Sequence, residues 1–288
     1  MLNLSQIEAF IAVVDTRGFH DAATRLGCSQ PKVSQQLRKL ERALGVTLIH
    51  RDRLQSMPTE QGVRLIPLAR SLLRTAARAK DVVSGHKIVI GASSNIGTYL
   101  LPPYVARFSR MRGNAVDLDM RIAGNPEIAD AVESREVDLA LMEWWDNRRG
   151  FVAKRWHQEK MLVIVSPDHP WAKRRSVDRD QLFEQPMIGG EAGTGTSALL
   201  RQVFGKSALK IRVGMNVGST EAVKAAVKAG LGISLVFASA VEEEIRSGLL
   251  CGLSVAGFKI SKDLFVVFPE DLPADAAAHQ FVRMLVKG

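Results

Sequence analysis

Residues 18–45 read GFHDAATRLGCSQPKVSQQLRKLERALG, and this stretch decides how the first part of the chain folds. It predicts two short helices joined by a tight turn. Asp21 can cap the first helix, and Gly27 suits the left-handed conformation that ends it. Ser29 can cap the second helix, where Pro31 falls in the first turn and the missing N–H costs nothing. The stretch therefore predicts a helix-turn-helix.

The apolar residues of the second helix recur at three- and four-residue steps, so they share one face that can be buried. They are Val33, Leu37, Leu40 and Leu44. The other face is polar and basic; Gln and Arg can pair bidentately with base edges, and Ser and Lys can hold phosphates. A solvated amphipathic helix is the alternative interpretation, but the turn glycine and the neighbouring segments favour a helix in the DNA major groove. The residues predicted to contact DNA are Ser29, Gln30, Pro31, Lys32, Ser34, Gln35 and Arg38.

Two further segments complete this unit. Residues 4–14 predict a helix that backs the other two with one apolar face. After Gly45, residues 46–49 and 57–59 are short β-prone runs with a basic segment between them. They predict the hairpin of a winged helix-turn-helix, with Arg51 and Arg53 reaching the DNA backbone or minor groove. A merely solvated turn is the alternative.

The distribution of charge supports a polyanionic partner for the N-terminal part alone. Residues 1–86 contain 13 Lys and Arg against 7 Asp and Glu, whereas residues 87–288 contain 26 against 23. The two cysteines, Cys28 and Cys251, have no histidine partners at ligand spacing, so neither a metal nor a cofactor is expected. The chain shows no signal peptide and no apolar run long enough to span a bilayer, so we expect a cytoplasmic protein without a membrane partner.

Residues 59–84 predict a long helix that joins two parts of the chain. Its apolar residues follow a roughly heptad spacing, and a stripe this narrow cannot be buried by the helix alone, which predicts a homodimer. Pro67 lies inside the helix and predicts a kink or adjusted hydrogen bonding. Residues 84–86 are then a hinge. The stripe consists of Val63, Ile66, Ala69, Leu73, Ala76 and Val83.

A longer pattern runs through this region: A-A-x-x-L-x-x-S-Q-P-x-V-S-x-Q-L-x-x-L-E-x-x-L-G over residues 22–45, then Arg51, then T-E-x-G over residues 59–62. With this pattern the chain resembles the LysR-type transcriptional regulators over essentially its whole length. It departs from the usual pattern at Lys32 and at Ile49-His50, and both departures could alter operator preference. The resemblance implies a homotetramer, a dimer of dimers, that binds an interrupted palindrome and bends it in response to an effector. RNA polymerase is a further candidate partner.

From residue 87 onward strands alternate with helices, which predicts a parallel sheet covered on both faces. The predicted strands are 87–92, 116–124, 137–142, 161–166, 186–190, 211–217, 232–237 and 264–268. The resemblance implies two α/β lobes around a ligand cleft, as in periplasmic binding proteins. The predicted division is a winged helix-turn-helix over 1–58, a linker helix over 59–86 and an effector-binding domain over 87–288. Lobe I covers 87–165 and 268–288, and lobe II covers 166–267.

Small polar residues follow the strands of both predicted lobes, where helix N-termini present free N–H groups. Such loops suit a small anion such as a carboxylate or an oxyanion, although simple N-capping is the alternative for each Ser or Thr. The family resemblance implies that these loops face the cleft. The predicted effector-binding residues are Ser93, Ser94, Asn95, Asn125, Glu143, Thr194, Gly195, Thr196, Ser219 and Thr220.

Sequence motifs of enzymes are missing. The glycine-rich segment 189–197 lacks the Gly-Lys-Ser/Thr of a Walker A loop, and residues 91–95 lack the last glycine of a nucleophile elbow. Two rival functions remain: a small-molecule binding protein without a regulatory role, and an α/β enzyme with a DNA-binding appendage. The N-terminal charge and the missing signal peptide disfavour the first, and the missing catalytic constellation disfavours the second. The sequence therefore predicts a DNA-binding regulator that is not an enzyme.

Overall fold

The computed structural model describes residues 3–51, 56–84, 87–113, 117–191 and 193–287. The chain divides into two compact units, residues 1–85 and 86–288. Each unit is considered by itself below.

The N-terminal unit contains three helices, a hairpin and a long fourth helix among its described residues. The elements are α1 (Leu4–Thr16), α2 (Phe19–Arg25), α3 (Gln30–Leu44), β1 (Ile49–Arg51), β2 (Ser56–Pro58) and α4 (Glu60–Ser84). The antiparallel pairing of β1 with β2 forms the predicted hairpin. Residues of α1, α2 and α3 share one buried core with the start of the hairpin and with Ala69 of α4.

The helix-turn-helix forms where the sequence predicts it, with one difference at α2 and two at α3. Gly18 rather than Asp21 occupies the cap position of α2, and Asp21 lies in the first turn of that helix. Gly27 adopts the predicted left-handed conformation with φ of 61°. Ser29 occupies the cap position of α3, although its side chain makes no capping hydrogen bond. Leu44 is 36% exposed, so the buried face of α3 ends at Leu40.

Polar contacts fix the hairpin on α3 and α4. The Glu41 carboxylate of α3 accepts a hydrogen bond from the backbone N–H of Leu48 at 2.9 Å. Thr59 Oγ1 donates to the carbonyl of Thr47 at 2.8 Å and accepts from the N–H of Gly62 at 3.0 Å. A Cβ at Gly62 would lie 2.2 Å from the Leu48 carbonyl oxygen, so only glycine fits there.

The linker helix α4 continues through Pro67 as one unbroken helix. The predicted apolar stripe does not all face outward, because Ala69 is fully buried and Ile66 and Leu73 pack against the core of the same unit. Val63 of the stripe is 54% exposed, and two further exposed apolar side chains lie outside the stripe: Leu68 is 64% exposed and Leu72 is 44% exposed. An i,i+4 pair of this kind lies on one face of a helix.

The C-terminal unit is built from alternating strands and helices. Its strands are β3 (Lys87–Ser93), β4 (Asp117–Ala123), β5 (Leu139–Met142), β6 (Phe151–Val165), β7 (Ser176–Val177), β8 (Pro186–Gly189), β9 (Arg212–Asn216), β10 (Ser234–Phe237), β11 (Cys251–Val255) and β12 (Ser261–Pro269). Its α-helices are α5 (Leu101–Arg112), α6 (Asn125–Glu133), α7 (Arg179–Glu184), α8 (Thr196–Phe204), α9 (Thr220–Lys228), α10 (Glu242–Arg246) and α11 (Ala277–Lys287). A π-helical turn over Ile96–Leu100 precedes α5.

The main sheet is mixed and not the parallel sheet that the sequence predicts. Its strand order is β4-β3-β5-β12-β6-β11-β7, with β10 also paired to β6. β3 pairs in parallel with β4 and β5, as predicted, and β8 pairs in parallel with β9. The long strands β6 and β12 are antiparallel to their neighbours and to each other, because they carry the chain from one lobe to the other and back.

The change of pairing partner defines where the chain crosses between lobes. Residues of β6 up to Lys160 pair with β12, whereas residues 161–164 pair with β10 and residues 163–165 pair with β11. All of β12 pairs with β6, and Phe265–Val267 also pair with β5. Both changes therefore precede the crossings predicted after residues 165 and 267.

Candidate functional site

The outer face of α3 is exposed and carries the residues predicted to contact DNA. Val33, Leu37 and Leu40 are buried, which turns the remaining side chains outward. Ser34 alone among the predicted α3 contacts is half-buried, and its carbonyl accepts a hydrogen bond from Arg38 Nε at 3.2 Å. The exposed residues at this surface are Ser29, Gln30, Pro31, Lys32, Gln35 and Arg38. They form a polar, basic surface of the kind that reads a major groove.

The hairpin contains the other two residues that are predicted to contact DNA. Arg51 is the last residue of β1, and Arg53 lies outside the described residues. Their contacts with DNA therefore remain predictions.

The second candidate site is a cavity of about 820 Å³ in the C-terminal unit. It is lined by β8, the loop that follows it, α8, β10 and the start of α9, with Asn95 contributed by the loop after β3. Ligand cavities in proteins commonly have this size and mixed lining. The predicted effector-binding residues that line it are Asn95, Thr194, Gly195, Thr196 and Thr220.

The other predicted effector-binding residues lie outside this lining, and most have structural partners. Asn125 is buried, and its side chain bonds the carbonyl of Trp144 and the N–H of Glu143. Ser219 caps α9 by accepting from the N–H of Ala222 at 3.2 Å, which is the simple capping that the sequence left open. Ser93 is 1% exposed, and its Oγ has no hydrogen-bond partner among the described residues.

A chain of polar contacts joins the loops around the cavity. Thr220 Oγ1 donates to Asn95 Oδ1 at 2.6 Å, and Asn95 Nδ2 donates to Glu143 at 3.0 Å. Lys262 Nζ lies 2.7 Å from the other oxygen of Glu143 and also donates to the carbonyl of Thr194 at 2.7 Å. The Glu143 and Lys262 side chains are 1% and 7% exposed, so this ion pair is buried. Effector binding at Thr194 or Thr220 would therefore act on one connected network.

Lys262 is a residue that sequence reasoning missed, although a signal for it exists. In β12 it occupies the same face as Ile260, Leu264 and Val266, which are all buried. Because side chains alternate with a period of two along a strand, a lone lysine in that series predicts a buried charge with a partner.

The start of α8 gives the cavity its donors. Gly193 and Gly195 have φ of 82° and 75°, and this turn leads into α8, whose first N–H groups have no partner within the helix. The Trp144 indole N–H donates to the carbonyl of Gly193 at 2.6 Å and holds the turn from the side of lobe I. The hydroxyls of Thr194 and Thr196 are 3.2 Å apart. Helix N-termini of this form attract anions.

Two charged lining residues also escaped the sequence analysis. Glu191 precedes the glycine turn, and Arg201 lies in α8. Neither stands in a recognised motif, and their contribution to the cavity depends on tertiary contacts. Ser94, which the sequence does predict, is connected to the cavity lining through Glu191, because its Oγ donates a hydrogen bond to the Glu191 carboxylate at 3.0 Å.

A second cluster crosses from the π-helical turn to α9. The Tyr99 hydroxyl donates to Glu221 at 2.7 Å, and Lys224 Nζ lies 2.7 Å from both Glu221 and Glu244. Burial favours a higher pKa for Glu221, but its bonds with Lys224 and Tyr99 outweigh this and hold the pKa below the usual value. Burial likewise opposes the Lys224 charge, yet the two glutamates keep its pKa raised. The pKa of Tyr99 is raised by burial and by its bond to Glu221. The cluster therefore holds a charged lysine that is 5% exposed.

Two features are absent from the part of the chain that the structure describes. No helix there is both long enough and apolar enough to cross a membrane. In the same part of the chain, no group of three or more His, Cys, Asp or Glu side chains is arranged to hold a metal ion.

Comparisons with known proteins divide the chain in the same way as its fold. The family described as "Bacterial regulatory helix-turn-helix protein, lysR family" matches residues 4–63, and "LysR substrate binding domain" matches residues 83–288. The "RuBisCO operon transcriptional regulator" of Allochromatium vinosum is 30% identical over 289 residues, covering 98% of this chain and 95% of the relative.

Two further comparisons bear on one part of the chain and on the whole fold. The "Putative HTH-type transcriptional regulator protein PtxE" of Stutzerimonas stutzeri is 43% identical over 196 residues, which is 68% of this chain and all of the relative. The crystal structure of full-length CbnR complexed with its target DNA superposes with a TM-score of 0.77 at 18% identity and covers 99% of both chains. At that identity the likeness concerns the fold alone.

Proposed function

This chain belongs to the LysR family of DNA-binding transcriptional regulators, which are not enzymes, and from that premise we propose that a small anion is its effector. The effector would bind in the cavity of the C-terminal unit and alter operator binding and transcription. The observation that carries this proposal is the start of α8, where the glycine turn, Thr196 and unbonded helix N–H groups line a cavity of about 820 Å³.

The DNA contacts are proposed for the exposed face of α3. Gln35 and Arg38 suit base edges, whereas Lys32 suits a phosphate. The target DNA in the CbnR complex supports duplex DNA as the partner of this fold. A regulator of bacterial DNA would work in the cytoplasm. We further propose the division into a DNA-binding domain over 1–58, a linker over 59–86 and an effector-binding domain over 87–288.

The exposed apolar residues support assembly into oligomers. Leu68 and Leu72 of α4 would meet their counterparts in a second copy, which gives a dimer with two DNA-reading helices roughly 34 Å apart. Strands β4 and β9 are exposed sheet edges that carry apolar side chains, and such edges are prone to pair. Contacts of this kind would complete the proposed homotetramer on an interrupted palindrome. RNA polymerase is a proposed partner of the DNA-bound assembly.

An anion would act by favouring one arrangement of the two lobes. Three hydrogen bonds couple the loops after β3 and β5 to the cavity wall. They join Asn95 to Thr220, Ser94 to Glu191, and Trp144 to Gly193. A ligand shifts an equilibrium only by as much as its affinity differs between the two states. An effector that competes for Thr194, Thr196 or Thr220 would change the strength of these contacts and therefore the lobe geometry.

Unfolding of the full-length protein in the presence of carboxylates and oxyanions tests the proposal. Trp144, Trp145, Trp156 and Trp171 are the tryptophans of the chain, and all belong to the C-terminal unit, so tryptophan fluorescence follows that unit alone. An anion at a hundredfold its dissociation constant should add about 2.7 kcal/mol to the free energy of unfolding.

A matched pair of variants locates the binding. Thr196→Val should abolish the stabilisation, whereas Thr98→Val, at an exposed residue outside the cavity lining, should leave it unchanged. If no carboxylate or oxyanion stabilises the wild-type protein, the anionic effector is wrong and the family assignment stands.

A further inference from the structure

Glu191 is an acidic residue in the lining of the cavity that we propose for an anion. Among the described lining residues, the ionisable side chains are Glu191 and Arg201. An ionised carboxylate accepts hydrogen bonds and cannot donate one. A fully deprotonated anion beside Glu191 would meet an acceptor of like charge, so the cavity is not suited to every anion.

The position of the Glu191 carboxylate is set by lobe I. Its Oε1 accepts from Ser94 Oγ at 3.0 Å and lies against Gly124, where an added Cβ would be 3.0 Å from the same oxygen. Gly124 precedes α6, so the carboxylate spans from the loop after β8 to the loops after β3 and β4. Because Gly124 has no side chain, the Glu191 carboxylate can occupy this space.

Groups that suit a negative charge line the same cavity as Glu191. The residues that begin α8, whose first N–H groups have no partner within the helix, line the cavity, and so does the basic residue Arg201. Thr194 Oγ1 lies 3.2 Å from Thr196 Oγ1 and 3.4 Å from the Glu191 carbonyl oxygen. When Thr194 donates its proton to Thr196, the hydroxyl proton of Thr196 is available for a ligand. The lining of the cavity thus includes hydrogen-bond donors at the start of α8 and one acidic residue, Glu191, that can accept a hydrogen bond.

Resting on the anionic effector argued above, we propose that Glu191 is a specificity-determining residue that selects anions carrying an O–H donor. The charged oxygen atoms of such a ligand bind the start of α8, and its O–H donates to the Glu191 carboxylate. Two kinds of ligand share this chemistry: oxyanions that keep a proton, such as hydrogen phosphate, and hydroxy acids. Anions of similar size without a donor leave the carboxylate facing their charge.

Two matched pairs of anions test the proposal on the full-length protein by titration calorimetry. Inorganic phosphate against sulfate tests the protonated oxyanion, and glycolate against propionate tests the hydroxy acid. Because a hydrogen bond to a charged group contributes a factor of about ten to a hundred, the wild-type protein should bind the donor-bearing member of at least one pair that much more tightly. The pair that shows the preference identifies the source of the donor.

Two variants separate selection from a purely structural role. Glu191→Gln keeps the size and the acceptor oxygen for Ser94 but adds an amide donor, so the preference should fall to near unity through a gain by the donor-free anion. Ser94→Ala removes the bond that fastens Glu191 and keeps the carboxylate, so the preference should persist.

The outcomes that overturn the proposal are distinct from one another. A preference that is unchanged in Glu191→Gln overturns the role of Glu191 and leaves the anionic effector in place. Tighter binding of sulfate and propionate by the wild-type protein does the same. Binding of none of the anions overturns the anionic effector and the role of Glu191 together.

Discussion

Replacing Lys262 with methionine should strongly destabilise the C-terminal unit. The Lys262 ammonium lies 2.7 Å from Glu143, and both side chains are almost fully buried. Methionine has nearly the same length and no charge, so the variant leaves the Glu143 carboxylate buried with Asn95 as its remaining side-chain partner among the described residues. The loss also frees the carbonyl of Thr194, which Lys262 otherwise bonds.

The expected cost follows from how poorly a protein interior solvates an unpaired charge. Breaking a buried ion pair by removing one partner costs about 3–5 kcal/mol. For a unit of about this size, each kcal/mol lowers the melting temperature by roughly 2–4 °C. Lys262→Met should therefore melt roughly 6–20 °C below the wild type. The double variant with Glu143→Gln removes both charges and should recover most of this loss.

Urea unfolding followed by tryptophan fluorescence is the appropriate assay, because the tryptophans report the C-terminal unit without a contribution from the DNA-binding unit. Lys259→Met is the matched control, since Lys259 is exposed, and it should stay within about 0.5 kcal/mol of the wild type. A Lys262→Met protein within 1 kcal/mol of the wild type, or a double variant that is no more stable than the single one, would refute the reasoning.

Three further predictions concern the other parts of the molecule. Gly62→Ala should destabilise the N-terminal unit by about 1–3 kcal/mol, because its Cβ would lie 2.2 Å from the Leu48 carbonyl oxygen; helical circular dichroism should then melt earlier while the tryptophan transition stays in place. Arg38→Ala should weaken binding to a selected operator by about 1–3 kcal/mol if Arg38 pairs with guanine, and an equal loss on random DNA in an anisotropy titration would instead indicate a phosphate contact. The pKa of Glu221 is lowered from 4.5 and that of Lys224 is raised from 10.5, so the contribution of this ion pair to stability should be complete between pH 4.5 and pH 10.5. The contribution should be lost as the pH falls through the lowered pKa of Glu221 or rises through the raised pKa of Lys224. Glu221→Gln should flatten the acid side of the stability curve, and an unchanged acid side would contradict the assignment.

The N-terminal unit could be predicted closely from the sequence, because its signals are local. Gly27, Pro31 and the apolar spacing of α3 each act within a few residues, and the fold places them as expected. The exception is α4, where Ala69 of the predicted stripe packs into the core, while Leu68 and Leu72, outside the stripe, are exposed together with Val63. A heptad pattern does not show which of two adjacent apolar rows is used within the same chain.

The sheet of the C-terminal unit was harder to predict, since the long strand β6 contains a run of mostly polar residues. The segment Lys154–Lys160 reads KRWHQEK and has no apolar run, so the sequence placed a strand only from residue 161. Its extended conformation comes from pairing with β12, a contact between residues about a hundred positions apart. The antiparallel strands β6 and β12 follow from that pairing.

The residues of the proposed effector site differ in the same way in how far the sequence predicts them. Thr196 and Thr220 are the first residues of α8 and α9, and Thr194 lies in the loop before α8, so their position along the chain predicts a place at the cavity. Glu143 looked like one more residue of this kind, but its function in the fold is to pair with Lys262, which lies far away in the sequence. Glu191 and Arg201 join the cavity only through the packing of α8 and the loop before it.

The most direct test of the whole account combines operator DNA with the proposed anion. An operator is first selected from random duplexes with the full-length protein, and its affinity and its bend angle are then measured by fluorescence energy transfer with phosphate, sulfate, glycolate or propionate present. The account predicts that at least one anion changes the affinity or the bend for the wild-type protein and changes neither for Thr196→Val. Operator binding that is identical with every anion, or a response that persists in Thr196→Val, would contradict control of DNA binding through this cavity.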